Sequence, residues 1–105
     1  MNIVITSTNN NLKAKLDPRF GRAAWFCLYN TKTKETSFIQ NEYIDSSGGA
    51  GTKAAELIVR QNVKKVISGD FGPKAKSVLE KFNIQMIMMQ NGSHSIQGII
   101  DQIQE

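Results

Sequence analysis

The sequence predicts an α/β domain in which a mixed sheet is covered by helices on both faces. A short apolar run at residues 3–5 and the β-branched segment at 63–68 predict strands, and segments with apolar residues every three or four positions follow the later strands. A polar turn also joins two early strand-like runs. Strands that alternate with helices pair in parallel, whereas a hairpin forces an antiparallel neighbour. The 105 residues suffice for one such domain and are too few for two.

The first half of the chain predicts a central strand followed by a hairpin. Residues 3–5 are apolar without alternation, which is typical of a strand buried on both faces. After a long loop, residues 24–29 and 35–40 flank the polar turn at 30–33. These two runs predict an antiparallel hairpin.

The second half predicts helices and strands in alternation. A first helix is expected from an N-cap at Thr52 to Asn62, where a left-handed residue ends it, and a second from Pro73 to Asn83. Strands are expected at 63–68 and 84–89. Isoleucines at helical spacing predict a third helix after 95, with Ser93 or Ser95 as its cap, and the helical face is formed by Ile96, Ile99, Ile100 and Ile103. A mixed five-stranded sheet with one antiparallel strand follows.

Composition and charge exclude several classes of protein. No apolar run approaches the roughly 20 residues that span a bilayer, and the first residues do not resemble a signal peptide, so we expect a cytoplasmic protein without membrane contact. The net charge is +4, from 13 basic and 9 acidic residues. The lysines fall near expected turns and helix ends rather than between exposed aromatics, a pattern that does not favour nucleic-acid binding.

Residues for catalysis or for tight metal ligation are sparse. The chain has one cysteine, Cys27, and one histidine, His94, and it shows neither a nucleophile with its base nor paired carboxylates on the first strand. We therefore expect no enzymatic activity. Cys27 and His94 are the weak candidates for metal ligands. The alternatives are a small buried hydrophobe for Cys27 and an exposed residue near a helix cap for His94.

Four segments should meet at the carboxyl ends of the parallel strands, where ligands collect in sheets of this kind. They are residues 6–22, 46–52, 68–73 and 91–93. Glycines let the backbone approach a ligand, and free N–H groups at a helix start favour an anion. We therefore expect an anion-binding site formed by Arg19, Gly21, Arg22, Gly49, Gly51, Lys53, Gly69, Asp70, Gly72 and Lys74.

Each of these segments also has a purely structural interpretation. The glycine run at 48–51 matches neither a P-loop nor a dinucleotide fingerprint, and it would serve equally as a hinge into the first helix. Residues 69–73 would form a tight turn with Asp70 as a capping acceptor. One arginine of the loop at 17–22 would pair with Asp17 or Asp70 and hold that loop down.

Three motifs, in the same order along the chain, resemble the dinitrogenase iron-molybdenum cofactor biosynthesis family. They are DPRFGRA at 17–23, GAGTKAAEL at 49–57 and ISGDFGPKA at 67–75, and the similarity extends over nearly the whole chain. The resemblance implies a three-layer, ribonuclease-H-like domain with sheet order 3-2-1-4-5 and an antiparallel second strand.

The resemblance also implies a role. It is that of an accessory protein that transiently binds or carries an iron–sulfur or iron-molybdenum cluster, or its precursor, without catalysis. Its partners would be cluster-assembly proteins or a metalloprotein recipient. Members with a clearer cluster role tend to have a histidine before the Gly-Ala-Gly segment, where this chain reads DSSG at 45–48. The alternative is therefore a metal-free small-anion-binding or regulatory module.

Overall fold

The computed structural model describes residues 1–90 and 94–103. Its elements alternate as the sequence predicts, with a hairpin in the first half and strands between helices in the second. In chain order they are β1 (Asn2–Ser7), β2 (Trp25–Asn30), β3 (Thr36–Gln40), α1 (Ala50–Val59), β4 (Val63–Ser68), α2 (Pro73–Lys81), β5 (Gln85–Met88) and α3 (Ile96–Ile103).

The five strands form one sheet in the order β3-β2-β1-β4-β5. β1 pairs antiparallel with β2 and parallel with β4, and the outer pairs are β2 with β3 (antiparallel) and β4 with β5 (parallel). Only β2 therefore runs against the other strands. The expected order, the antiparallel second strand and the central, doubly buried β1 are all confirmed.

Apolar side chains cover both faces of the sheet and make the domain three layers thick. On one face, Val4 and Val66 pack with Ile58 of α1 and Leu79 of α2. The opposite face packs against α3, and its buried members include Ile3, Ile5, Cys27, Ile67, Ile96 and Ile99. Because successive strand residues point to opposite faces, neighbours such as Val4 and Ile5 contribute to different cores.

The predicted helix ends are mostly confirmed. Asn62 and Asn83 have φ values of 55° and 58°, the left-handed conformation that asparagine tolerates after a helix. Pro73 is the first residue of α2, where its missing N–H costs nothing. The α3 cap is Ser95, whose Oγ accepts a hydrogen bond from Gly98 N at 3.0 Å; Ser93 lies outside the described residues.

The prediction for the start of α1 is wrong by three residues. The helix begins at Ala50, and Gly49 rather than Thr52 is its N-cap. Gly49 has φ 71°, a left-handed conformation that costs glycine little, and its carbonyl accepts the hydrogen bond from Lys53 N at 2.9 Å. Gly51 and Thr52 therefore lie within the first turn of α1 and not before the helix.

None of the helices described is both long enough and apolar enough to cross a membrane.

The left-handed conformation of Asn62 should decide which residues this position accepts. We expect Asn62→Val to lower the free energy of unfolding by about 1–2 kcal/mol, because a β-branched side chain clashes in this conformation. Asn62→Gly should change it by less than about 0.5 kcal/mol. Urea unfolding of both variants checks this, and equal losses in the two would contradict it.

Candidate anion-binding groove

A buried carboxyl group holds the loop between β1 and β2 over the carboxyl edge of the sheet. The Asp17 side chain is 3% exposed, and its Oδ1 and Oδ2 accept hydrogen bonds from Arg19 N (3.0 Å) and Ala24 N (3.2 Å). The Asp17 carbonyl accepts a further bond from Thr6 Oγ1 at 2.8 Å. Because a buried carboxyl group is costly unless its oxygens are bonded, these contacts fix the loop conformation.

Two glycines let this loop approach its neighbours at backbone distance. A Cβ added to Gly69 would lie 2.4 Å from Pro18 Cα, and a Cβ added to Gly21 would lie 2.8 Å from Gly51 Cα. Real Cβ atoms do not come this close to backbone. Gly69 and Gly21 thus bring the loop against the end of β4 and the start of α1.

These contacts leave an open groove of about 420 Å³ between the loop and the starts of α1 and α2. Eight of the ten predicted site residues line it, and they are Arg19, Gly21, Arg22, Gly49, Gly51, Asp70, Gly72 and Lys74. Lys53 and Gly69 do not line it. Of the four segments expected to meet at this edge, three contribute to the groove, while residues 91–93 lie outside the described part of the chain.

Positive charge at the groove comes from two side chains and two helix starts. Arg19 is 57% exposed, and Lys74 lies in the first turn of α2. The N-caps Gly49 and Gly72 have no side chain to bond the first-turn N–H groups. Unpaired N–H groups and the helix dipole both favour an anion. The groove thus has the chemistry of an anion site.

The two arginines have different tasks. Arg19 Nε lies 3.5 Å from Asp17 Oδ1, so the prediction that one arginine pairs within the loop is confirmed. Arg22 Nη1 and Nη2 donate to the carbonyls of Ile44 (2.6 Å) and Ser46 (3.1 Å). Arg22 therefore fastens the segment before α1 and is less available to a ligand than Arg19.

Lys53 also points to the segment before α1. Its Nζ lies 3.4 Å from Ser46 Oγ and 5.8 Å from the centre of the Tyr43 ring. These contacts draw the ammonium group away from the groove. Lys53 and Arg22 together hold residues 43–46 beside the start of α1, a task that the sequence did not reveal because it depends on where this segment lies.

The carboxylate of Asp70 is the negative group in the groove. Its Oδ1 accepts a hydrogen bond from Phe20 N at 3.1 Å, across 50 positions of sequence. The expectation that Asp70 caps α2 is wrong, because Gly72 is the N-cap and makes no side-chain bond. Asp70 instead ties the turn after β4 to the loop that holds Arg19.

The groove is also lined by four residues that the sequence did not predict as part of the site. They are Ala50, Thr52, Pro73 and Ala75. Thr52 is the one with a polar side chain. The sequence predicted Thr52 as the N-cap of the first helix, because that helix was expected to begin after residue 52. Ala50, Ala54 and Ile58 follow one another at a helical spacing of four residues. This spacing is the signal in the sequence that could have placed the start of α1 at residue 50 and Thr52 at the groove.

Cys27 and His94 lie away from the groove. Cys27 is fully buried in the core on the α3 side, where burial raises the pKa of its thiol from 9.0 to about 12. A thiol is a poor metal ligand unless it loses its proton. His94 precedes α3, and its carbonyl accepts a bond from Leu16 N at 3.0 Å. The described residues hold no group of three or more side chains suited to a metal ion.

The family model described as dinitrogenase iron-molybdenum cofactor matches residues 1–105. The chain belongs to this family. Its relatives include an uncharacterized protein of Methanocaldococcus jannaschii, which is 33% identical over 89 residues, or 82% of this chain and 72% of the relative. Membership relates the chain to nitrogenase cofactor biosynthesis as an accessory protein.

Solved structures share the fold. The apo form of the orange protein from Desulfovibrio gigas matches 97% of this chain and 85% of its own, at 26% identity and a TM-score of 0.90. A NifB-like protein from Thermotoga matches the same shares at 24% identity and a TM-score of 0.82, and shows the fold alone. The match of the family model to residues 1–105 confirms the recognition of the family from three loop motifs.

The close approach of Gly69 to Pro18 gives a test of how the groove is built. Gly69→Ala should lower the free energy of unfolding by about 1–3 kcal/mol, because the new methyl group meets backbone atoms that cannot move aside. Gly48→Ala is the matched control, since a Cβ there meets nothing within 4 Å. Urea unfolding measures both, and a Gly69→Ala protein as stable as the control would contradict the contact.

The raised pKa of Cys27 predicts a pH dependence of stability. Between pH 9.0 and about 12 the unfolded chain releases the thiol proton while the folded chain keeps it. The free energy of unfolding that the protonated Cys27 thiol contributes is therefore fully present below pH 9.0, and it is lost as the pH rises from 9.0 to about 12. The stability advantage of the wild-type protein over Cys27→Ala should shrink as the pH rises from 9.0 to about 10.5. A constant difference in urea unfolding would contradict it.

Proposed function

We propose that this chain binds an anionic metal cluster, of iron–sulfur or iron-molybdenum type, or its precursor, in the groove between α1 and α2 and carries it without catalysis. The observation that supports the proposal is the convergence of Arg19, Lys74 and two uncapped helix starts on one open groove. Such a groove would hold its cargo by charge and by hydrogen bonds to backbone N–H groups.

The scarcity of protein ligands fits a carrier. In the described part of the chain, no thiol or imidazole lines the groove. A cluster held without thiolate bonds leaves by breaking hydrogen bonds and ion contacts alone, so it can be passed on without ligand exchange at this protein. Its partners on this proposal are cluster-assembly proteins and a metalloprotein recipient, and its place of action is the cytoplasm.

Anaerobic titration tests the proposal. A synthetic thiolate-ligated 4Fe–4S cluster is added to the protein under reducing conditions, and visible absorbance is followed through gel filtration. We expect the absorbance to co-migrate with the wild-type protein. Arg19→Gln and Lys74→Gln should each weaken binding about tenfold, the effect of losing one hydrogen bond to a charged group.

The matched control is Lys64→Gln, which removes the same charge from an exposed position at the other end of β4. It should bind as the wild type does. Absorbance that fails to co-migrate with the wild-type protein would rule out cluster binding, and equal losses in Lys64→Gln and Lys74→Gln would rule out this groove.

The second candidate is a metal-free small-anion-binding or regulatory module, and it is favoured by the lack of a metal-ligand group among the described residues. A thermal-shift screen with phosphate, citrate and molybdate separates the two. An anion at about a hundred times its dissociation constant should add about 2.7 kcal/mol of stability. Stabilisation by phosphate or citrate without cluster binding would support this candidate, and a flat screen would contradict it.

A further inference from the structure

Within the described residues, no strand pairs with the outer edge of the sheet at β5. β5 pairs with β4 alone, and Met89 N donates to Ser68 O at 3.0 Å. Because alternate residues of an edge strand direct their backbone groups to opposite sides, this bond leaves the N–H and C=O groups of Met86 and Met88 facing outward. Sheet edges are normally protected by lysine, proline or a bulge. The four residues of β5 include none of these.

Apolar side chains accompany these unpaired backbone groups. Met86 and Met88 point to one face of β5, where they line a pocket of about 340 Å³ with Phe71 and Lys76. Met88 is 56% exposed, which is unusual for a large apolar side chain in a strand. Methionine is unbranched and flexible, and it is common on surfaces that adapt to a partner.

The opposite edge of the same sheet is built differently. β3 has the polar residues Thr36, Ser37 and Gln40, and the charged pair Lys34 and Glu35 precedes it. Charged residues beside an edge strand discourage pairing with another chain. The β3 edge is therefore flanked by charged residues, whereas the four residues of β5 include none.

Charge and size favour one occupant for the β5 edge. Lys76 lies beside the pocket, and it takes no part in the one ion pair found within the described residues, which joins Arg19 and Asp17. Glu80 lies one turn further along α2 and does not line the pocket. A second copy would bring another Lys76 and another net charge of +4. A four-residue strand also offers far less than the roughly 1,000 Å² of a stable dimer.

We propose that the outer edge of β5 is a docking site for an acidic, extended segment of another protein, which adds to the sheet as a further strand. Main-chain hydrogen bonds to Met86 and Met88 supply affinity, and alternate side chains of the segment lie over Phe71 with a carboxylate near Lys76. With so few hydrogen bonds, the complex is transient.

The docking site adjoins the groove. Phe71 packs against Phe20 with ring centres 5.5 Å apart, and its neighbours Asp70 and Gly72 both line the groove. A docked segment therefore sits against the wall that separates the two sites. The docking proposal does not depend on what the groove binds. A negative result for cluster binding would therefore leave the docking proposal intact, and the reverse also holds.

Two synthetic peptides with blocked ends test the docking site. One alternates valine with glutamate and the other alternates valine with lysine, and both are titrated into the ¹⁵N-labelled protein. We expect the glutamate peptide to shift the amide resonances of Met86 and Met88 and to slow their hydrogen exchange. Lys76→Glu should weaken its binding about two- to fivefold and strengthen that of the lysine peptide.

Lys32→Glu is the matched control, because it makes the same change in net charge on the β2–β3 turn. Its affinities should equal those of the wild type. Met88→Pro should abolish binding, since it removes an outward N–H without breaking a bond to β4. Met88→Ala keeps that N–H and should still bind.

Three results would overturn the proposal. The first is that the glutamate peptide leaves the amides of Met86 and Met88 unchanged. The second is that Lys76→Glu and Lys32→Glu alter binding equally, which would reduce the effect to net charge. The third is concentration-dependent dimerisation in sedimentation, with shifts at the same amides and no peptide present, which would show that a second copy occupies the edge.

Discussion

The buried carboxyl group of Asp17 is the constraint on which the candidate groove depends. Its oxygens bond the N–H groups of Arg19 and Ala24, and the Asp17 carbonyl bonds Thr6 at the end of the central strand. The first part of this loop is held by backbone hydrogen bonds such as Thr8 N to Lys15 O, and the Asp17 carboxyl group fixes the part that contains Arg19. Because the carboxyl group is buried, its bonds cannot be replaced by water at low cost. The backbone position of Arg19 is therefore set from inside the fold.

Glycine contacts complete what Asp17 begins. Gly69 allows Pro18 to touch the end of β4, and Gly21 meets Gly51 backbone to backbone. At each contact, two main chains lie against each other because the glycine has no side chain to separate them. Together the two contacts bring the starts of α1 and α2 to one groove. The walls are consequently rich in backbone and poor in side-chain ligands. On the proposed function, such a groove would select its cargo by charge and shape more than by the identity of a metal.

Local patterns in the sequence were enough for most of the fold, but not for the partners of the site residues. Asn62 and Asn83 end their helices because their conformation is a property of the residue and its neighbours. The sheet order came from the resemblance of three loops to a family. The tie between Asp70 and Phe20 spans 50 positions, and Arg22 binds carbonyls whose location depends on the path of residues 41–49. Such partners are fixed by tertiary structure, so spacing alone could not identify them.

The residues between β4 and α2 belong to both proposed sites, and this connects the two proposals physically. Asp70 holds the loop that positions Arg19, while the adjacent Phe71 packs on Phe20 and lines the pocket beside β5. A partner strand that lies over Phe71 would bear on the Phe20 contact and, through the Asp70 bond, on the loop that contains Arg19. On these proposals, the two sites meet at the adjacent residues Asp70 and Phe71, so a recipient protein docked at β5 would lie next to the loop that holds the cargo.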